Sequence, residues 1–198
     1  VLSPLPGRAT MPRIVLLASL LKGGDFELLL RGATETGVSA IIPIEAARSV
    51  PRIKTGEKTK KVARWERILE EATRQCGASR VPAIGVPVPL ERALEMDLPS
   101  LRLAGILEEG TAPLATFVPA DEAAIAIGPE GDWDDHEKEI LRKAGFSGAS
   151  LGPLVLKACT AAIVACSYLV LAWEGQRCGE TSGEKIPDQG PRMPDKPV

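Results

Sequence analysis

Short apolar runs alternate along the chain with segments whose apolar residues recur every three or four positions, the pattern of strands interleaved with amphipathic helices. Ile14 to Leu17 and Ala123 to Ile127 are continuously apolar, and Val38 to Ile44 is apolar and rich in β-branched residues. Hydrophobicity that does not alternate predicts strands covered on both faces. Weaker strand signals lie at Ile84 to Val86, Leu103 to Leu107 and Ala149 to Leu151. Asp25 is placed to cap a helix running to Thr36, with Gly37 as its stop. From Thr59 onward, Val62, Trp65, Leu69, Ala72 and Cys76 fall on one helical face, and Gly77 follows. Leu90 to Met96 predicts a shorter helix. Asp134 and Glu137 form a D-x-x-E helix start, with Ile140, Leu141 and Ala144 as the apolar face and Gly145 as the stop. Thr160 to Trp173 predicts a final, mostly apolar helix. This alternation predicts an α/β fold, a mainly parallel sheet with helices on both faces.

Composition sets the boundaries. Residues 1–12 carry Pro4, Pro6, Gly7 and Pro12 and no acidic group, which suits a linker or the remnant of a preceding domain. The folded domain is expected over residues 13–174, and the Gly, Pro and charged residues of 175–198 predict a disordered tail. With 198 residues and 44% hydrophobic content the chain can bury one sizeable core. The apolar run from Ala158 to Trp173 is interrupted by Thr160 and Ser167. It falls short of the roughly 20 residues that cross a bilayer, so a buried helix and no membrane are expected. Cys76, Cys159, Cys166 and Cys178 have no paired spacing and no histidine beside them, so no zinc ligand set is expected and reduced thiols suit the cytoplasm.

The formal net charge is −2, yet residues 48–67 hold eight Lys or Arg residues against Glu57 and Glu66. Phosphate contacts are one use of such a concentrated field, and a solvated helix face is the other reading. Candidate chemistry lies further on. Ile127-Gly128-Pro129-Glu130-Gly131-Asp132-Trp133 and Ser150-Leu151-Gly152-Pro153-Leu154-Val155-Leu156-Lys157 each run a short strand into a Gly/Pro turn. In parallel sheets the carboxyl ends of strands gather ligands, and these two turns fall at such ends. Neither G-x-G-x-x-G nor G-x-x-x-x-G-K-[ST] occurs, which disfavours a dinucleotide or a nucleoside triphosphate in the usual cradle.

These motifs, with Leu21-Lys22-Gly23-Gly24-Asp25-Phe26-Glu27, Ala33-Thr34-Glu35-Thr36-Gly37-Val38, Arg48-Ser49-Val50, Gln75-Cys76-Gly77 and Leu141-Arg142-Lys143-Ala144-Gly145-Phe146, resemble the RsmE family. Its members are small-subunit ribosomal RNA uridine-N3 methyltransferases of the SPOUT class, and the likeness covers residues 13 to 173. The resemblance implies a C-terminal deep trefoil knot, S-adenosyl-L-methionine as cofactor, a homodimer formed through the knot region, and ribosomal RNA or the small ribosomal subunit as partner. It implies a cofactor site at Leu107, Ile127, Gly128, Pro129, Gly131, Leu151, Gly152, Val155, Leu156 and Thr160. Lys157 stands where the family usually has arginine, and is assigned the cation beside the target base. Glu130 accepts a hydrogen bond from the base, assists its deprotonation, or orders the turn, the last being favoured. Candidate RNA contacts are Lys22, Arg48, Arg52, Lys54, Lys58, Lys60, Lys61, Arg64 and Arg80. Aromatics make up only 4%, so recognition would rest on RNA shape and phosphates, with the target base extruded.

The chain also departs from the family pattern. Asp132 replaces a glycine, and Asp tolerates the left-handed backbone better than most residues. Ala158-Cys159-Thr160-Ala161 stands where Thr-Glu-Thr-Ala is usual; Gly32, Arg74 and Ala78 replace a lysine, a glutamate and an arginine. A family PUA-like N-terminal RNA-binding domain is not within the sequence. These departures keep a second reading open, a non-catalytic RNA-binding or ribosome-assembly module that retains the fold.

Overall fold

The structure, a computed structural model, describes residues 11–118 and 121–181. Its centre is strand β1 (Arg13–Ser19), which sends Ile14, Leu16 and Ala18 to one core and Val15 and Leu17 to the other. Strands β2 (Ala40–Ile44), β3 (Ala83–Ile84), β4 (Arg102–Gly105), β5 (Glu122–Ile127) and β6 (Ser147–Ala149) complete one sheet. Its order is β3-β2-β1-β5-β4-β6, and all five pairings are parallel. Every strand therefore ends on the same edge of the molecule, which is where two faces of helices leave room for a ligand.

Helices α1 (Asp25–Glu35), α2 (Thr55–Cys76) and α5 (Ala158–Thr181) supply one core, where Phe26 and Trp65 meet with ring centroids 4.8 Å apart. Helices α3 (Leu90–Leu94) and α4 (Asp135–Lys143) cover the opposite face through Leu90, Ala93 and Leu141. β5 offers Ala124 and Ala126 to this face and Ala123, Ile125 and Ile127 to the other, all of them buried. Small side chains let both helical layers approach the strand closely.

Several boundaries differ from the sequence pattern. Asp25 is the first residue of α1 and not its cap; Gly24 holds that position, and no side chain caps the helix. The local cause is the turn before it, in which Asp25 N–H donates to the Lys22 carbonyl. α2 begins at Thr55, a turn before Thr59, and Cys76 at its end is exposed instead of joining the apolar face. β6 lies at Ser147–Ala149, two residues earlier than expected, because pairing with β4 ends at Ala149. Ser150 instead exchanges main-chain hydrogen bonds with Ala112 and Leu114, both at 2.8 Å.

α5 starts at Ala158 and continues to Thr181, so residues 175–181, expected in a disordered tail, are helical. Its later turns are tied down: Trp173 Nε1 donates to Asp121 Oδ1 at 3.1 Å, and the Arg177 guanidinium lies 5.0 Å from the Trp173 ring. At this length, Ala158–Cys178 is long and apolar enough to cross a membrane, with mean hydropathy 1.5, unlike the shorter run anticipated. One of its sides packs on α1, β1 and β5. The expectations for residues 1–10 and 182–198 lie outside the described residues.

The D-x-x-E signal is realised in full. Asp134 Oδ1 accepts from Glu137 N–H at 2.7 Å, and Glu137 Oε2 accepts from Asp134 N–H at 3.0 Å. Glu137 is buried, and its other oxygen accepts from Ala47 N–H at 2.7 Å, fastening α4 to the segment after β2. Replacing Asp134 with Ala is expected to cost about 1 kcal/mol, the usual value of an N-cap, read as a lower urea midpoint with unchanged slope.

Candidate active site

At the C-terminal ends of β4, β5 and β6 the three turns enclose a cleft of about 300 Å³. Gly105, Ile106 and Leu107 form one wall, Ile127 to Glu130 with Asp132 a second, and Ala149 to Gly152 with Leu154 to Ala158 a third. Ala161 closes the floor from α5. Leu107, Leu154 and Val155 stand 60%, 75% and 78% exposed. Apolar side chains held out in water around a glycine-lined cleft are a feature of ligand sites more than of plain surface.

The structure brings most of the anticipated residues together. Leu107, Ile127, Gly128, Pro129, Glu130, Leu151, Gly152, Val155, Leu156 and Lys157 all line the cleft. Gly131 and Thr160 do not. Gly131 turns towards Arg48, whose Nη1 donates to its carbonyl at 2.9 Å, and Thr160 is exposed on α5 while Ala158 and Ala161 face inward. Gly105, Ile106, Ala149, Ser150, Leu154, Ala158 and Ala161 line the cleft without having been named as site residues, although Ser150 and Leu154 belong to the second motif and Ala158 and Ala161 to the run that follows it. For Gly105, Ile106 and Ala149 the only signal is position at a strand end or in the turn that follows one.

The glycines serve different ends. A side chain at Gly105 would meet Ile127 Cδ1 at 3.0 Å, and one at Gly128 would meet the Trp133 ring at 3.2 Å. Packing by itself is enough to keep those two positions small. Gly152, with φ 123°, has open space where a Cβ would stand, and there the backbone itself is exposed to the cleft. Trp133 is fully buried, and its indole N–H has no hydrogen-bond partner among the described residues.

Polar groups at the rim are held in place. Glu130 Oε1 accepts from Lys22 N–H at 3.0 Å, tying the β1–α1 turn to the β5–α4 turn. Asp132 adopts φ 60°, the left-handed conformation anticipated for it, and its Oδ2 lies 2.9 Å from Lys138 Nζ. Lys157 is exposed at the mouth, and its carbonyl accepts from Ala161 N–H in the first turn of α5.

The basic segment divides in two. Arg48 donates to the Gly131 and Trp133 carbonyls, Arg52 to those of Ala46 and Ala47, Lys58 pairs with Glu45 at 2.8 Å, and Arg64 pairs with Glu27 at 2.7 Å. The contacts of Arg48, Arg52 and Lys58 brace the loop after β2 and the start of α2, and that of Arg64 joins α2 to α1. Lys22, Lys54, Lys60, Lys61, Arg67 and Arg80 are exposed and make no ion pair among the described residues.

The family model of the RNA methyltransferase domain matches residues 9–170. The chain belongs to that family. It is 30% identical to the ribosomal RNA small subunit methyltransferase E of Synechocystis over 163 residues, covering 79% of this chain and 52% of the relative. Identity to the Aquifex aeolicus protein of the same name is 32%, covering 73% of this chain and 62% of the relative. The chain thus spans about half to two thirds of the curated relatives' length. Among solved structures, a putative methyltransferase from Legionella pneumophila with bound SAM superposes with TM-score 0.77 at 31% identity, covering 83% of this chain and 68% of the other. The small subunit methyltransferase E of Neisseria gonorrhoeae bound to S-adenosyl methionine gives 0.76 at 27% identity, covering 85% and 70%. A more distant SpoU-type tRNA-modifying enzyme, at 14% identity and TM-score 0.54, shares the fold.

Cys76, Cys159 and Cys166 are free thiols, the first exposed and the other two buried. Burial pushes the Cys166 thiol up to about 12, so it stays protonated and enclosed at neutral pH. Alkylation of the folded protein at mildly alkaline pH is expected to label Cys76 while sparing Cys159 and Cys166, which react only after denaturation. Mass analysis of peptides from both states checks this.

Proposed function

We propose that this domain is an S-adenosyl-L-methionine-dependent methyltransferase acting on ribosomal RNA, with N3 of a small-subunit uridine as acceptor. The observation that carries the reading is the cleft at the ends of β4, β5 and β6, lined by apolar side chains and by the exposed backbone at Gly152. Similar domains from Legionella pneumophila and Neisseria gonorrhoeae bind SAM, which supports the assignment. Leu107, Ile127, Leu151, Val155 and Leu156 would hold the faces of the adenine, and main-chain groups of the Gly128 and Gly152 turns its edges. The cofactor, when bound, supplies an electrophilic methyl group on a sulfonium sulfur.

The chain's own residues then have three tasks. They must admit a uracil in line with that methyl, accept or release the N3 proton, and stabilise the anionic base. Lys157 at the mouth of the cleft supplies positive charge for the anion. Glu130 holds the rim together through Lys22, and its Oε2 has no hydrogen bond among the described residues with which to compete for the proton. Lys22, Lys54, Lys60, Lys61, Arg67 and Arg80 would meet phosphates, while Arg48, Arg52 and Lys58 act on RNA only through the loop they brace and Arg64 only through the contact of α2 with α1.

We further infer a trefoil knot, a homodimer and a cytoplasmic location. The knot reading is supported by the bonds that hold Ser150 against Ala112 and Leu114, which pair the last strand's exit with the β4–β5 connection. The homodimer reading rests on Val164 and Leu171, 40% and 63% exposed and seven residues apart on one face of α5. A second copy, not a membrane, is the proposed cover for this face. Thiols left unoxidised at Cys76, Cys159 and Cys166 suit a reducing compartment. The departure at Cys159 lies in the core rather than in the cleft, and of those that do line it, Asp132 keeps a left-handed turn, Lys157 keeps a positive charge and Ala158 is a small side chain, so methyl transfer is favoured over a purely structural module.

Isothermal titration with S-adenosyl-L-methionine tests the cofactor reading, with a saturable heat expected. Silence at millimolar concentrations alongside retained RNA binding would leave the assembly-module reading in its place. RNA affinity is expected to fall steeply with salt, and replacing Lys60 and Lys61 with Ala should lower the slope by about one for each phosphate no longer neutralised. A slope unchanged by the double substitution removes α2 from the interface.

A further inference from the structure

Lys138 is a buried cation to which the proposed chemistry gives no task. Only 10% of its side chain is exposed, and its Nζ lies 2.9 Å from Asp132 Oδ2 and 3.2 Å from Glu108 Oε1. Removing an ammonium group from water is costly, and the first turns of a helix are an unfavourable place for positive charge. The two carboxylates offset both costs. A hydrogen bond to Asp132 leads the causes that hold the Lys138 pKa above its ordinary value, despite the opposing effect of burial.

The two partners come from different walls of the cleft. Glu108 follows Leu107 in the connection after β4, and Asp132 ends the turn after β5. Arg142, one helical turn beyond Lys138 on α4, also holds Glu108, with Nη2 2.9 Å from Oε2. α4 is itself anchored by its capping box and by Glu137 on Ala47. A fixed helix thus grips both loops through one ammonium group. Asp132 occupies the position that is glycine in the family pattern, so the same residue that departs from the pattern is the one Lys138 secures.

We propose that Lys138 is a positioning residue that clamps the β4–β5 and β5–α4 loops together and so sets the width of the ligand cleft. The consequence for ligand affinity rests on the reading of that cleft as the cofactor site; the clamp itself does not. Loss of Lys138 leaves Asp132 without its cation and facing Glu108, which Arg142 still holds on α4, so the β5–α4 loop parts from the β4–β5 loop.

The test uses the full chain and two readouts, amide hydrogen exchange and calorimetric binding of S-adenosylhomocysteine. In Lys138→Met, exchange is expected to quicken in residues 106–112 and 128–133, with β1 protected as before. Affinity should weaken about tenfold to a hundredfold, the cost of leaving a buried partner unpaired. Adding Asp132→Gly removes the stranded carboxylate and should recover part of that loss. Glu108→Gln, a change at a half-exposed side chain, should loosen residues 106–112 alone and keeps the clamp testable if Lys138→Met does not fold. Parental exchange in both loops, or parental affinity in Lys138→Met, overturns the proposal. If the parent chain itself binds no S-adenosylhomocysteine, the cofactor reading fails, and exchange alone decides whether the clamp exists.

Discussion

Everything at the site depends on β5 lying between β1 and β4. Its main chain pairs with β1 from Arg13↔Glu122 to Ala18↔Ile127 and with β4 from Arg102↔Ala124 to Gly105↔Ile127. Because all these pairs are parallel, the turn after Ile127 emerges beside Gly105 and beside the β1–α1 turn at the same edge. A shift of register by one residue would exchange the two faces of a strand buried on both sides. The Gly128 turn could not then meet Leu107 or Lys22.

Packing around that strand explains why the turns are so rich in small residues. Gly105 leaves space for Ile127, and Gly128 for the indole of Trp133, a fully buried side chain on the α4 side. The glycines thus let three strand ends close on one another before any ligand is considered. What remains open is the strip between Leu107, Leu151 and the exposed Val155, with the free backbone of Gly152 along it. A site of this kind is set by the scaffold, and its loops carry the variation.

Charge is used in two ways. Close ion pairs at Lys138 and Lys58 fasten loops to helices and that at Arg64 joins α2 to α1, whereas exposed cations on α2 and at Arg80 leave a positive surface. Counting residues 48–67 as one field conflates the two. Half of the candidate RNA-binding segment is engaged within the molecule, and only distances could show which half.

The sequence by itself determined the alternation of strands and helices, the burial of β1, β2 and β5 on both faces, the stop of α2 at Gly77, the capping box at Asp134 and the two turns that flank the cleft. Each is a local pattern written in neighbouring residues, so periodicity, cap chemistry and motif likeness suffice to read it. It misplaced β6 and the ends of α5, because Ser150 leaves the sheet for Ala112 and Leu114, and because the helix runs on to Thr181 from a Trp173 that Asp121 holds in place. Tertiary structure alone decided that Gly131 faces Arg48, that Ala161 and not Thr160 faces the cleft, and that Lys138 reaches Asp132 and Glu108. Those facts join residues distant along the chain or depend on which side of a helix meets a loop, and no local pattern encodes the rotation and register that bring them together.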